Sequence, residues 1–268
     1  MTYSMLASIV KYPYESRLAG RKSKFGFFTS ERDTFKRIAD ELGLLPRPGE
    51  DGEMCYSRHP LVYIVEAADD ICYQVMDIED AHKLRVLTTG EVIDLFLAYF
   101  NQEQQERMKR AMSHVEDPNE KIAYLRSCVI GTLVKQCARA FVAHEEEILA
   151  GEFSGCLLDH VDTLERDAYR GCSALAWEKI YRASDVVDVE LAGSRIISFL
   201  MEKLIHAVRF PELNYSSLLL SKVPKQYDIH ADTLYGKVQA VLDHISGMTD
   251  VYALDLYRKL HGMSLPAV

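Results

Sequence analysis

Fourteen glycines and eight prolines are spread through 268 residues, and this shortage of chain breakers constrains the fold more than any other feature. Gly and Pro end helices and shape turns, so a chain with so few of them runs in long regular elements. Apolar residues recur at three- and four-residue spacing after each start signal, the signature of amphipathic helices, and almost nothing alternates with period two. The expectation is an all-α, many-helix array forming one continuous domain over residues 1–268. No internal repeat, low-complexity tract or Ser/Gly/Pro-rich linker interrupts it.

In "TSERDTFKRIADELGL", Ser30 is the expected N-cap with Asp33 three residues on. Phe35, Ile38, Ala39 and Leu42 share one face, and Gly43 is the stop. In "RHPLVYIVEAADDICYQVMDIEDAHKL", Pro60 suits the first helical turn, where a missing N–H costs nothing, and the helix is expected to reach Leu84. "TTGEVIDLFLAYFN" and "QEQQERMKRAMSHV" read as one bent helix or two consecutive ones. From Asp117 a helix of about thirty residues is expected to run to Gly151, with Asp117 as cap, Pro118 in the first turn and Glu120 completing a capping box. Further helical patterns cover 162–183, 186–209, 231–246 and 249–261, with "RFPELNYSS" as a connecting loop. "LLPRPGEDGEMCYSRHP" has loop or hairpin character, which leaves room for a small β-ribbon there or at "KSKFGFFTS".

A formal charge of −9 argues against a general affinity for the nucleic-acid backbone, which needs a clustered Lys/Arg surface, so nucleic acid is not indicated as a partner. No run approaches the roughly 20 apolar residues that cross a bilayer, and "MTYSMLASIVKYPYES" is too polar for a secretory signal. These features lead to the expectation of a soluble, cytoplasmic protein with no membrane partner. Six scattered cysteines without a C-x-x-C pair are expected to be reduced and structural rather than zinc ligands.

The stretch "VEAADDICYQVMDIED" carries six acids on a helix. At about 100° per residue, Glu66, Asp69, Tyr73, Asp77 and Asp80 fall in one stripe, with Ile64, Ala68, Ile71, Val75 and Ile78 opposite. One reading is a solvated acidic face. The other is a ligand site, because residues 59–81 contain no Lys or Arg to relieve like-charge repulsion, and Asp69, Tyr73 and Asp77 bracket a phenol between carboxylates at i, i+4 and i+8. One carboxylate could then hold a divalent metal while the phenol and the other take a ligand hydroxyl. "IVKYPYESR" sets Lys11 beside Tyr12, either as an ordinary helix end or as a source of the missing positive charge.

The acidic stretch, together with "MLASIVKYPYES", "KFGFFTSERDTF" and "SGMTDVYALDLYRKLHGMSLP", resembles the dGTP triphosphohydrolase branch of the HD-domain phosphohydrolases, in the right order over nearly the whole chain. The resemblance implies an HD-domain-like helical array that hydrolyses a deoxynucleoside triphosphate, with dGTP indicated, to the deoxynucleoside and triphosphate. It implies Asp69 as the distant metal ligand, with Asp70 turned away. By the same resemblance, Tyr73 and Asp77 line the deoxyribose and meet its 3′-hydroxyl, while Lys11 and Tyr12 reach the triphosphate.

The family's His…His-Asp metal motif, and the His and Glu that assist the attacking water, precede the K-Y-P element. No His-Asp dipeptide occurs here, and none of the nine histidines restores the pattern. The chain is therefore expected to be a C-terminal portion without the N-terminal helices and without a catalytic residue of its own. Its site for Mg, Mn or a similar divalent metal would be incomplete, its activity alone slight, and its exposed apolar surface would favour homo-oligomers. Two alternatives stand beside this: a non-enzymatic nucleotide-binding or assembly module working with a separate N-terminal chain, and a triphosphohydrolase for another deoxynucleotide.

Overall fold

Two long helices lie against each other in the computed structural model, which describes residues 1–16, 24–47 and 54–263. They are α3 (Pro60–Lys83) and α6 (Pro118–Ala143). Around them run α1 (Tyr3–Ile9), α2 (Arg32–Leu42), α4 (Thr89–Leu97), α5 (Gln102–Met112), α7 (Glu145–Leu149) and α8 (Thr163–Leu175). A second set follows: α9 (Ser184–Arg209), α10 (Asn214–Leu220), α11 (Leu234–Ser246) and α12 (Asp250–Leu260). Contacts divide the chain into two units, Met1–Tyr181 and Arg182–Val268. The all-α expectation is borne out, since every extended regular element among the described residues is helical. In place of a ribbon there are isolated bridges, Tyr14 with Cys55, Glu15 with Phe27 and Pro46 with Tyr56. Residues 22–23 and 48–53 of the two ribbon candidates lie outside the described residues.

Several ends differ from the sequence expectation for local reasons. The turn before α2 is capped by Glu31, whose carboxylate accepts from the Phe28 N–H at 2.8 Å, rather than by Ser30. Gly43 does end α2, in the left-handed region at φ 64°, where a side chain would be strained. Asn101 separates α4 from α5 with a reciprocal cap, accepting from Gln104 N while Gln104 Oε1 accepts from Asn101 N, both at 3.0 Å. Asp117 caps α6 by accepting from Asn119 N at 2.9 Å, and no box with Glu120 forms. That helix stops at Ala143 instead of running to Gly151, because His144 leaves helical geometry at φ −110°, and α7 begins anew. The loop assigned to "RFPELNYSS" gives way at Asn214 to α10, whose short "NYSSLLL" buries Leu219 and Leu220.

The core of the first unit joins Ile71, Val75 and Ile78 of α3 to Ile122, Leu125, Val129 and Leu133 of α6 and to Val92 and Phe96 of α4. Each such side chain contributes roughly 1.5–3 kcal/mol on burial. Gln74 is buried among them with its amide satisfied: Nε2 donates to Tyr169 O at 2.9 Å and Ser173 Oγ at 2.6 Å, and Oε1 accepts from Tyr99 Oη at 2.9 Å. In the second unit, α9 packs on α10, α11 and α12 through Leu200, Leu204, Val241 and Leu256.

The buried stripe of α3 is rotated from the expected one. Tyr63, Ala67, Ile71, Val75 and Ile78 face the core, whereas Ile64 and Ala68 are exposed. These two line an open apolar groove of about 280 Å³ with Val134, Phe141 and Val142 of α6. The positive charge missing from the body of α3 arrives from other segments and from Lys83 at the helix's own end. Lys11 and Arg58 pair with Glu66, Arg126 and Lys83 with Glu79, and Lys83 also with Asp80.

Glu79 is nearly buried, and burial alone would raise its pKa. Hydrogen bonds from Lys83 and Arg126 outweigh this and hold the carboxyl below its ordinary value of 4.5. A carboxyl depressed by folding stabilises above its unfolded pKa and loses that contribution as pH falls through the folded value. Arg126→Met is expected to cost about 1–2 kcal/mol near neutrality, less than a fully buried pair because Lys83 remains. In urea denaturation across pH, the gap between wild type and variant should narrow as the pH drops below 4.5. A gap that stays constant with pH would mean that the arginine acts by packing alone.

Candidate functional site

One pocket and one cleft open along the polar side of α3. The pocket, about 230 Å³, is lined by Asp69, Asp70, Tyr73 and Gln74 of α3, with Tyr169 and Ser173 of α8 and Tyr181 beyond it. Tyr73 is 67% exposed at its mouth. A single π-helical turn, Ala176–Ile180, follows α8 and sets Tyr181 across from α3, and π turns recur at functional sites. Tyr181 Oη donates to Asp77 Oδ2 at 2.5 Å, so Asp77 joins the pocket through that phenol. Burial, then the neighbouring Asp77, pushes the Tyr181 phenol up to about 12.

Asp70 does not turn away from the pocket. It is half-buried there beside Asp69, and burial raises its carboxyl above the ordinary range against the pull of Lys11.

The cleft, about 440 Å³, is lined by Lys11, Tyr12, Arg47, Arg58, Tyr63 and Glu66 among others. Burial alone would lower the Lys11 ammonium, but its hydrogen bond and charge pairing with Glu66, helped by Asp70, keep it above the usual lysine value. Glu66 and Asp70 stand one turn apart on α3, so the Lys11 ammonium sits where pocket and cleft adjoin. The far wall comes from the loop after α7. Tyr63 Oη donates to Phe153 O at 3.1 Å with the two rings edge to face, and Gly151 holds φ 68°.

The structure thus gathers Asp69 and Tyr73 in one pocket, attaches Asp77 to it through Tyr181, and puts Lys11 and Tyr12 in the adjoining cleft. Sequence reasoning missed Arg47, Arg58, Tyr169 and Tyr181. No periodic signal could find them, since Tyr181 meets Asp77 across 104 positions and Arg58 meets the Lys11 carbonyl across 47.

Among the described residues no three His, Cys, Asp or Glu side chains converge on a point where they could hold a metal ion. The oxygens of Asp69 and Asp70 alone fall short of the several fixed ligands that a divalent cation takes, so a metal does not fit on the donors of the described residues by themselves. All six cysteines are free thiols. No helix among the described residues is long and apolar enough to cross a membrane.

Comparison with known proteins finds relatives along nearly the whole chain. Residues 164–259 match the family described as phosphohydrolase-associated domain. A deoxyguanosinetriphosphate triphosphohydrolase-like protein of Synechocystis is 32% identical over 99% of this chain and 60% of its own length. One of Pseudomonas aeruginosa is 32% identical over the full chain and 61% of its own length.

The chain is homologous, almost end to end, to the dGTP triphosphohydrolase family.

A protein of Salmonella arizonae named deoxyguanosinetriphosphate triphosphohydrolase extends the likeness at 26% identity over 97% of the chain. The chain spans about 60% of the length of these curated relatives of the dGTP triphosphohydrolase family, and corresponds to their C-terminal part.

The cleft wall gives a direct test. A Cβ on Gly151 would lie 2.7 Å from Ser57 Cβ, and the left-handed backbone disfavours any side chain there. Gly151→Ala is expected to lose about 1–3 kcal/mol of stability in urea denaturation. A loss below about 0.5 kcal/mol, the range of neutral surface changes, would show that the wall yields easily.

Proposed function

We propose that this chain is the deoxynucleotide-binding portion of a dGTP triphosphohydrolase. The observation that carries the reading is the adjoining of an acidic, phenol-lined pocket and a cationic cleft along one helix face. A nucleoside triphosphate has that same polarity, with hydroxyl donors on the sugar at one end and a polyanion at the other. Asp77 would accept from the 3′-hydroxyl in place of Tyr181, and the Tyr73 ring would pack on the sugar, leaving no room for a 2′-oxygen. Lys11, with Arg47 in the same cleft and Tyr12 beside it, would take the triphosphate, for which a lysine is a mobile point charge.

The proposed overall reaction converts dGTP and water to deoxyguanosine and triphosphate. The water oxygen bonds to the α-phosphorus while O5′ leaves with its bonding electrons and takes a proton. Asp69 is proposed to offer one carboxylate to a divalent ion such as Mg or Mn. Because the remaining donors are not at hand in the described residues, the chain by itself binds rather than catalyses. A cytoplasmic setting belongs to the same proposal.

One observation favours a second reading, that of an assembly module. The groove between α3 and α6 exposes Ile64, Val134 and Val142, and apolar surface of this kind commonly marks an interaction site. Self-association of the chain is expected on this ground, and a monodisperse monomer by light scattering would argue against it.

Calorimetric titration with dGTP, GTP and dATP tests the main reading. Binding of dGTP is expected to be tighter than that of GTP. Asp77→Asn should weaken dGTP by about 10- to 100-fold, the weight of a hydrogen bond to a charged group. Equal affinities for dGTP and GTP, unchanged by Tyr73→Ala, would remove the sugar-reading role. Triphosphate release by the chain alone at the rate of a complete enzyme would contradict the binding-only assignment.

A further inference from the structure

Glu66 holds two cations at once. Its side chain is 8% exposed, with Oε1 at 2.8 Å from Lys11 Nζ and Oε2 at 2.8 Å from Arg58 Nη2. Arg58 is committed further: Nε donates to Lys11 O at 3.1 Å, Nη1 to Gly155 O at 3.4 Å, and the guanidinium lies over the Tyr63 ring at 4.7 Å. The arginine is thereby spent on structure, joining the segment after α1, helix α3 and the loop after α7. The Lys11 ammonium is different. It gives one of its three N–H donors to Glu66, stays 36% exposed and lines the cleft.

A free lysine stem carries roughly 2 kcal/mol of rotamer entropy, which an anion would have to freeze on binding. A buried carboxylate that fixes the ammonium beforehand removes that penalty. Resting on the deoxynucleotide reading above, we infer that Glu66 is a positioning residue, holding Lys11 toward the cleft for a polyphosphate chain while Arg58 anchors its second oxygen. Coulomb's law taken alone predicts the opposite sign, because a carboxylate beside an anion site repels the anion, and its removal should tighten binding. Glu79 supplies an internal control. It is a similarly buried carboxylate of the same helix that also holds two cations, Lys83 and Arg126, but it does not line the cleft.

The test is calorimetric titration of inorganic tripolyphosphate into the purified chain and its Glu66→Gln, Lys11→Ala, double and Glu79→Gln variants, with amide hydrogen exchange of residues 10–14. Glu66→Gln is expected to weaken binding on the order of ten-fold, the weight of one charge-assisted hydrogen bond. The double variant should bind no more weakly than Lys11→Ala, since the two act through one group. Glu79→Gln should leave binding unchanged even as it lowers the melting temperature. Exchange at residues 10–14 should quicken in Glu66→Gln but not in Glu79→Gln.

Equal or tighter binding by Glu66→Gln, losses that simply add in the double variant, or unchanged exchange would each overturn the positioning role while leaving the deoxynucleotide reading in place. Wild-type chain that does not bind tripolyphosphate would overturn both. If Glu66→Gln does not fold, Glu66→Asp keeps the charge but shortens the reach, and the same weakening and faster exchange are required of it.

Discussion

Helix α3 meets two demands that conflict on a single surface. It must bury Ile71, Val75 and Ile78 against α6, and it must carry six acids with no Lys or Arg at positions 59 to 81. Like charges at helical spacing repel, and a carboxylate near the protein interior is unfavourable unless paired. The solution is to bring positive charge from other segments: Lys11 and Arg58 to Glu66 from the N-terminal side, Arg126 of α6 to Glu79 from the packing partner. Satisfying α3 therefore ties the first segment of the chain and the loop after α7 to the central helix pair.

The same neutralisation sorts the acids by task. Glu66, Glu79 and Asp80 are engaged in ion pairs, while Asp69 and Asp70 line a pocket and Asp77 accepts from a phenol. A pocket of carboxylates next to a cleft of cations is a polar arrangement that water alone would screen well. On the proposed reading, it would recognise a molecule with the complementary polarity. The π turn at Ala176–Ile180 is part of this, because its altered register carries Tyr181 to Asp77.

Much of the fold was legible because helix signals are local. Pro60 at the first turn, Gly43 at a left-handed stop and the apolar spacing of α2 act within a few residues, and each behaved as expected. The misses have local causes too. Glu31 outcompeted Ser30 as the cap, His144 broke the helix expected to reach Gly151, and the brief α10 is held by its two buried leucines rather than by length. Ile64 and Ala68 were placed on the buried side because periodicity defines a stripe but not which edge of it meets a neighbour; α6 covers one edge and leaves the groove open.

By itself the sequence determined the helical class, the family resemblance later matched by the comparisons, and the alignment of Asp69, Tyr73 and Asp77 on one face. These depend on backbone periodicity, which is written in spacing along the chain. Only the tertiary structure decided which charges neutralise which acids. It turned Asp70 into the pocket beside Asp69, set Tyr181 on Asp77 and made Glu66 the junction of Lys11 and Arg58. Such contacts join residues tens of positions apart, and the path that the chain takes between them, not the spacing along it, brings them within hydrogen-bond distance.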